Sequence, residues 1–404
     1  MSGVSSSDRE KIKIWTAILA NAKKPDDVGL EDKAIKLADE ALTRNPRDVQ
    51  LWMLRAQAEP SETATIALYD RALDIAPQDS GALHLRMHAL EDIGQLSTAV
   101  SDGALLVKLA GAIPHAHHMY GHELRRAGRT QEAIAEFKRA EELELAYYQS
   151  QNIPAEYDWH HMHNLNLLAS AYLHEGGLER AEQTLKESIA TPSLTVQYAV
   201  FKEDWPELLL LRGRSGEALR AAQEMMREKW PQPQMIGHAL AGEALLVMGD
   251  RTQAEAELQA AQKVVTDNKQ LTQGVEYHAK TLAAELLPGT SETEAGVADL
   301  EELESHFREA KSPDQWNQNL FHLERIARLA RQYNAWDLAK HTAEQMIKMD
   351  PYYAGSHFAL ALVNQHEGST VAARREFDEA ARAWKHVDSG MPEYAEAMKS
   401  VRSQ

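Results

Sequence analysis

The amino-acid sequence predicts an all-α protein made of about ten helix–turn–helix repeats stacked along the chain. Three observations support this prediction: a glycine–alanine–aromatic–alanine spacing that recurs, prolines placed where helices should end, and a composition able to fill a continuous interior. Hydrophobic residues make up 44% of the chain and charged residues 26%. A frame that recurs at fixed offsets is typical of a repeat array and not of an irregular bundle.

The recurring frame is clearest in two distant segments, residues 128–140 and residues 368–380. Both place Gly, Ala, Phe and Ala at the same offsets. Less complete copies begin at four further glycines, and an asparagine takes the place of the glycine in the ninth unit: Gly94, Gly176, Gly213, Gly249 and Asn334. The two N-terminal units keep only the end of the frame.

Each position of the frame has a mechanical reason. Glycine ends a first helix because a left-handed C-terminal turn costs a residue without Cβ little. The alanine five residues later, Ala133 or Ala373, lets two antiparallel helices approach closely, and the next phenylalanine fills the space between helices. Pro46, Pro77 and Pro351 lack a backbone N–H, so we expect them to stop second helices.

With this frame the sequence resembles the tetratricopeptide repeat family, whose unit is a helix–turn–helix of 34 residues. The resemblance covers nearly the whole chain. It implies a right-handed superhelical solenoid of about ten units, in which the first helix of each unit lines a concave groove. It also implies a partner in that groove, either a protein or peptide or a small polar ligand.

The departures from the repeat divide a single predicted solenoid, residues 1–404, into parts. An insert follows the fourth unit, Pro206 falls inside a predicted first helix, and the terminal helix near 391–402 should cap the last apolar face. The predicted parts are N-terminal repeats 1–113, His-rich repeats 114–190 with the insert at 141–157, middle repeats 191–287, and C-terminal repeats with the capping helix 288–404.

Charge and composition exclude several classes of partner. The formal net charge is −18, with 61 acidic against 43 basic residues, which disfavours nucleic acid and anionic membrane surfaces as ligands. The absence of cysteine excludes disulfides and thiolate metal sites. Neither a basic, apolar leader nor a run of about 20 apolar residues is present, so we expect a cytoplasmic protein.

Histidines are concentrated in two bursts, at residues 114–122 and 158–164, which together hold seven of the eighteen. Residues three, four and seven apart share a helix face. The first burst therefore places one stripe of side chains on a helix, namely His115, His118 and His122, continued by Arg125 and Arg126. His117 should point away from this stripe.

The family resemblance implies a direction for the stripe, because these places face the groove. In the next unit the corresponding face carries His160 and His163, with Trp159 as a wall beside them. Packing of successive first helices would bring four or five imidazoles into one volume. The pattern H-M-x-x-H followed by His163-Asn164 also resembles a subgroup of tetratricopeptide proteins, which implies a functional site without naming a reaction.

Three interpretations of the histidine cluster remain open from the sequence. A divalent metal ion would use His118, His122, His160 and His163, and zinc, iron, copper and manganese cannot be distinguished. A polar or anionic ligand would use His115, Arg125, Arg126 and Trp159 together with those rings. Packing alone is the third. The acidic run at residues 141–144 is predicted to be a solvated helix face.

The sequence therefore predicts an interaction scaffold with a groove for a partner or ligand and the histidine cluster on its concave face. The alternative is a metal-dependent enzyme or a small-molecule-binding protein that uses the same cluster, and a pH-responsive binding protein is a third candidate. Motifs for phosphate loops, serine hydrolases and zinc proteases are absent, so whether the protein is an enzyme stays open.

Overall fold

The computed structural model describes residues 5–24, 27–268, 271, 276–287, 293–309, 315–384, 386–388 and 391–402, without the side chains of 28 and 315–318. Within these residues the regular structure is entirely helical. The chain forms two compact units, Met1–Glu136 and Phe137–Gln404. The predicted all-α class is confirmed. None of the described helices is long and apolar enough to cross a membrane.

The first unit contains seven complete helices and the beginning of an eighth. They are α1 (Ser6–Lys23), α2 (Val28–Arg44), α3 (Val49–Gln57), α4 (Glu62–Ile75), α5 (Ser80–Asp92), α6 (Leu96–Ala110), α7 (Pro114–Arg126) and α8 (Thr130–Gln151), which contains the boundary between the units. Side-chain caps begin several helices: Asp48, Ser61 and Asp79 each accept a hydrogen bond from the backbone N–H three residues on.

The second unit continues the alternation of first and second helices. It contains a 3₁₀ turn, Ala155–Tyr157, and then α9 (Trp159–His174), α10 (Leu178–Ala190), α11 (Val196–Phe201), α12 (Asp204–Leu211), α13 (Ser215–Met225), α14 (Pro231–Val247), α15 (Arg251–Asp267), α16 (Glu276–Leu286), α17 (Thr293–Glu309), α18 (Gln315–Gln332), α19 (Trp336–Met349), α20 (Ala354–His366), α21 (Thr370–Ala383) and α22 (Pro392–Arg402). In the described residues the order gives ten successive helix–turn–helix units before α22.

The turns and close contacts follow the predicted frame. All six frame glycines have φ between +69° and +87°, and Asn334 takes the same left-handed conformation with φ +57°. The alanine five residues after each turn is buried, including Ala133 and Ala373, and the phenylalanines Phe137 and Phe377 are buried beside them. The helices α2, α4 and α19 end two residues before their predicted stop prolines. The residues that recur in the sequence are therefore the residues at which the helices turn and pack.

The departures from the repeat also have local explanations. The predicted insert is mostly an extension of α8, which runs to Gln151 before the 3₁₀ turn. Pro206 lies in the first turn of α12, where a missing N–H costs no hydrogen bond, and the first helix of that unit is split between Phe201 and Asp204. The terminal helix is α22, whose Ala397 is buried in the core of α20 and α21.

The predicted single solenoid and its four-part division stay predictions. Residue 288, where the predicted C-terminal part begins, lies outside the described residues. Inside the second unit, the segment after α21 returns to the turn after α9, where the backbone N–H of Asp388 donates to the Gly176 carbonyl at 3.1 Å. A Cβ at Gly176 would lie 3.1–3.2 Å from Val387 and Trp384, so this contact needs glycine for its size as well as its φ.

Candidate histidine-rich ligand site

Helix α7 carries the first burst of histidines. Pro114 occupies its first turn, where the fixed φ of proline suits a helix start. His118 and His122 are buried, with 2% and 5% of their surfaces exposed. The His115 and His118 rings stack at 5.7 Å, and the His118 and His122 rings meet edge to face at 4.8 Å. The three predicted residues therefore do form one stripe.

The separation of the two buried rings bears on metal binding. His118 Nε2 and His122 Nε2 lie 3.1 Å apart. Two nitrogens bound to one ion at about 2.0–2.1 Å, with an angle of about 90–110° between them, would stand about 2.9–3.4 Å apart. The same distance also suits an N–H···N hydrogen bond between two neutral rings. The pair is thus preorganised for an ion while being stable without one.

The stripe continues into the preceding repeat, onto residues that sequence reasoning missed. His115 Nε2 lies 3.0 Å from His84 Nε2, and His84 Nε2 lies 3.2 Å from His88 Nε2. Both added histidines belong to α5. A signal for them was present, since His84 and His88 precede His118 and His122 by one repeat of 34 residues.

His117 lies off the stripe, as predicted. Its Nδ1 lies 2.6 Å from Glu136 Oε2 on α8, and its Nε2 lies 3.0 Å from the Gly111 carbonyl oxygen. It is therefore a suitable control position for experiments on the stripe.

The two predicted arginines are close to buried carboxyl groups. Arg126 Nη1 donates to the Glu91 carbonyl at 2.9 Å and lies 3.4 Å from Glu91 Oε1. Burial raises the pKa of Glu91 to about 7, against the opposing effect of Arg126 and Arg125. Burial, and then the neighbouring Glu91, raises the pKa of Glu123 to about 9. Glu91 was not among the predicted site residues.

The second burst is organised by Glu144, and here the sequence interpretation was wrong. The run at residues 141–144 was predicted to be solvated, yet Glu144 is only 2% exposed. Its two carboxylate oxygens lie 2.8 Å from His160 Nδ1 and 2.9 Å from His161 Nδ1. Burial alone would raise the pKa of Glu144, but these hydrogen bonds lower it. The long α8 extension is what brings this carboxylate to the start of α9.

His163 and Trp159 are neighbours, as predicted. His163 is buried and stacks between Trp159 at 5.8 Å and Phe201 at 5.6 Å. The Trp159 ring is largely exposed, and the rings of His160 and His163 are 6.3 Å apart. Asp158 caps α9 by accepting a hydrogen bond from the His160 backbone N–H at 3.0 Å.

The structure therefore groups the predicted residues within each unit. His118, His122 and His163 are all buried imidazoles of the kind that hold a metal ion. The prediction that both bursts share one ligand stays a prediction.

A second polar network lies on the first helices of the second unit, and it contains none of the predicted site residues. Arg325 lies 2.6 Å from a Glu243 oxygen and 2.8 Å from a Glu285 oxygen. Glu203 lies 3.3 Å from His278 Nε2. Burial raises the pKa of Glu207 and of Glu243 to about 7 each. Excess carboxylate charge in a poorly solvated environment explains both shifts.

Comparison with known proteins gives weak likenesses. No protein-family model matches the chain, and no curated protein is detectably similar to it. Among solved structures, that of yeast Tom70 is 12% identical with a TM-score of 0.38, over 98% of this chain and 96% of that one. A tetratricopeptide repeat protein from Parabacteroides merdae is 13% identical with a TM-score of 0.40, over 81% of this chain and 99% of that one.

A third structure, of Naa15/Naa10 bound to HypK-THB, is 17% identical with a TM-score of 0.33 and matches 97% of this chain. This chain spans only 60% of the length of that one. Identities and TM-scores this low say nothing about function. The all-α architecture of helix–turn–helix units rests on the helices of the chain itself and on their packing.

Proposed function

We propose that this protein is an interaction scaffold whose histidine-rich repeats bind a divalent transition-metal ion through His118 and His122. The observation that supports this most directly is the 3.1 Å separation of two buried imidazole nitrogens on one helix. Neutral imidazole is the commonest metal ligand among side chains, and these rings are held in place before any ion arrives.

The surroundings favour a cation over an anion. The guanidinium of Arg126 contacts both the backbone carbonyl and the carboxylate of Glu91, and the charge of Arg125 also acts on that carboxylate. Guanidinium groups engaged in this way offer less free positive charge to an anionic ligand. Imidazole donors without thiolates suit zinc, copper or iron better than magnesium or calcium.

His163 and His160 are the further ligands that we propose, on the basis of the repeat register of the sequence. Within the second unit, Glu144 holds Nδ1 of His160 and so leaves Nε2 as the ligating atom. A carboxylate bonded to the second ring nitrogen is the usual support for a metal-bound histidine, because it fixes the tautomer and orientation of the ring.

Titration of tag-free, metal-stripped protein with Zn²⁺ tests this function. We expect His118→Ala or His122→Ala to abolish the high-affinity site, and the double change to cost no more than either alone, because one loss already breaks the site. His117→Ala is the matched control and should keep the affinity. His163→Ala tests the third ligand separately.

The pH dependence separates a metal from an anion. Metal binding should weaken between about pH 7.5 and about pH 5.5, because protons compete for the ring nitrogens. An anion held by protonated imidazoles would show the opposite trend and would be lost in Arg125→Ala. Unchanged Zn²⁺ affinity in both His118→Ala and His122→Ala would overturn the proposed site.

For the scaffold role, we propose that the partner is a basic peptide segment bound to the first helices of the second unit. Glu243 is buried and Glu207 is half-buried, and both carboxyl groups have a raised pKa, so both would gain from a nearby positive charge. A labelled oligolysine peptide should bind the native protein and lose affinity with Glu207→Gln plus Glu243→Gln. The exposed pair Glu294→Gln plus Glu301→Gln is the control. Equal losses in both double variants would indicate only nonspecific attraction to a chain of net charge −18.

A metal-dependent enzyme is the second candidate, favoured by the concentration of histidines in neighbouring repeats. This candidate requires that only two or three of the proposed imidazoles bind the ion, because such a site keeps positions for water, as catalytic zinc sites do and closed structural sites do not. The Co²⁺-substituted protein should therefore change its visible spectrum when acetohydroxamate is added. An unchanged spectrum with bound Co²⁺ would mean a closed coordination sphere and would rule out this candidate.

A further inference from the structure

The structure assigns a second metal-binding position to helix α5, where His84 and His88, assisted by His115 of α7, bind a divalent transition-metal ion. This position is separate from the His118–His122 pair and does not require that pair to bind an ion. Three features of α5 and its surroundings support this position.

The first feature is the repetition of a two-histidine pattern at the repeat period. His84 and His88 are four residues apart on α5, as His118 and His122 are on α7, and each member is shifted by 34 residues. The nitrogen separations are also alike, 3.2 Å in α5 and 3.1 Å in α7. Equivalent places in successive first helices thus carry the same chelating geometry.

The second feature is the crowding of one nitrogen atom. His84 Nε2 lies 3.2 Å from His88 Nε2 and 3.0 Å from His115 Nε2. An imidazole nitrogen has a single in-plane position, which holds either a proton or a lone pair, so it makes only one strong hydrogen bond. Protons alone therefore do not satisfy both short contacts well. An ion would accept a lone pair from each ring.

The third feature is the balance of charge beside the rings. The nearest arginine in sequence, Arg86, is held by Asp102 at 2.7–2.8 Å and by Asp70 at 2.5 Å. These carboxylates offset its positive charge.

These features define the chemistry of the ion. The donors are imidazole nitrogens only, so the position should select Cu²⁺, Zn²⁺ or Ni²⁺ over Mg²⁺ and Ca²⁺. His84, His88 and His115 are each half-buried, unlike the fully buried His118 and His122. Water can therefore complete the coordination, and the ion should exchange faster here than in α7.

Counting bound Zn²⁺ per chain tests the assignment. Full-length, tag-free protein is stripped of metal, titrated with Zn²⁺ by calorimetry, and its metal content is measured after gel filtration. We expect two equivalents for the native protein, one for His84→Asn plus His88→Gln, and one for His118→Ala plus His122→Ala. His117→Ala should keep both, and circular dichroism reports whether each variant is folded.

The outcomes separate the two sites. Two bound Zn²⁺ ions with unchanged affinities in the α5 double variant would overturn the second position. So would a native protein that binds one Zn²⁺ ion, if only the α7 double variant loses that ion. One native equivalent lost only in the α5 variant would support the α5 position and overturn the α7 proposal. The α7 double variant gives an independent reading, because Cu²⁺ bound in α5 should still show nitrogen hyperfine splitting in its electron paramagnetic resonance spectrum. Absence of this splitting in that variant would overturn the inference.

Discussion

The buried contact between the end of α9 and the turn that joins α19 to α20 makes a sharp test of how the second unit is held together. His174 Nε2 lies 2.7 Å from Asp350 Oδ2, across 176 residues of sequence, and the two residues are 3% and 1% exposed. The other Asp350 oxygen accepts the Tyr352 backbone N–H at 2.8 Å, and the His174 ring packs against Tyr353 at 5.2 Å. The pair therefore joins the end of one first helix to the turn that precedes another.

Replacing His174 by Ala should destabilise the second unit by about 3–5 kcal/mol. The change leaves the Asp350 carboxylate buried without its cationic or hydrogen-bonding partner, and an uncompensated buried charge costs that much. Removal of the ring also leaves a cavity beside Tyr353. The control is Arg382→Gln at an exposed pair with Glu379, which should cost less than about 0.5 kcal/mol.

Urea unfolding followed by circular dichroism gives the free energy of unfolding, and hydrogen exchange should locate the loss at α9 and at the turn between α19 and α20. A repeat array can unfold in parts, so if the urea transition is not two-state, the hydrogen-exchange measurement is the deciding one. A cycle with Asp350→Asn should be strongly non-additive, since removing both partners leaves no buried charge unpaired. A free energy of unfolding for His174→Ala within about 0.5 kcal/mol of the native value, or simple additivity of the two changes, would contradict this prediction.

Three further predictions test the frame and the interior charges. Ala133→Leu should overpack the contact between helices and lower the free energy of unfolding by about 1–3 kcal/mol, whereas Arg139→Gln on the exposed face should lower it by less than about 0.5 kcal/mol, both measured in urea. Equal losses would mean that the repeat frame is assigned to the wrong helix face. Gly249 has φ +87° and open space around it, so Gly249→Ala should cost about 1–2 kcal/mol of stability by backbone conformation alone, whereas Gly216→Ala inside α13 should stabilise the protein. A loss of stability in both variants would contradict the role of the left-handed turn. The pKa of Glu207 rises from 4.5 in the unfolded chain to about 7 in the folded protein, so the native protein should lose up to about 3 kcal/mol of stability as pH rises through that window. Glu207→Gln should remove this loss and should therefore be more stable than the native protein at pH 8 but not at pH 4.5. Parallel profiles of stability against pH would contradict this prediction.

The sequence by itself determined where helices turn and where they touch. The left-handed glycines, and Asn334 in the place of one, are required locally, because the end of a first helix must reverse the chain within a few residues. The buried Ala133 and Phe137 follow from the same spacing. One helix face likewise suffices to place His115, His118 and His122 on a stripe and His117 off it.

Only the tertiary structure decided which faces meet across larger distances in the chain. Glu144 reads as a surface residue in a charged run, and it is buried because the extension of α8 lies against the start of α9. His84 joins the histidine stripe because α5 packs beside α7, although the 34-residue spacing already indicated its place in the repeat.

The contact between His174 and Asp350 has no counterpart in any local pattern. Periodicity specifies the side of a helix that is apolar and the place where the helix ends. The partner of a polar group depends on the sum of small rotations between successive repeats, which no single repeat encodes.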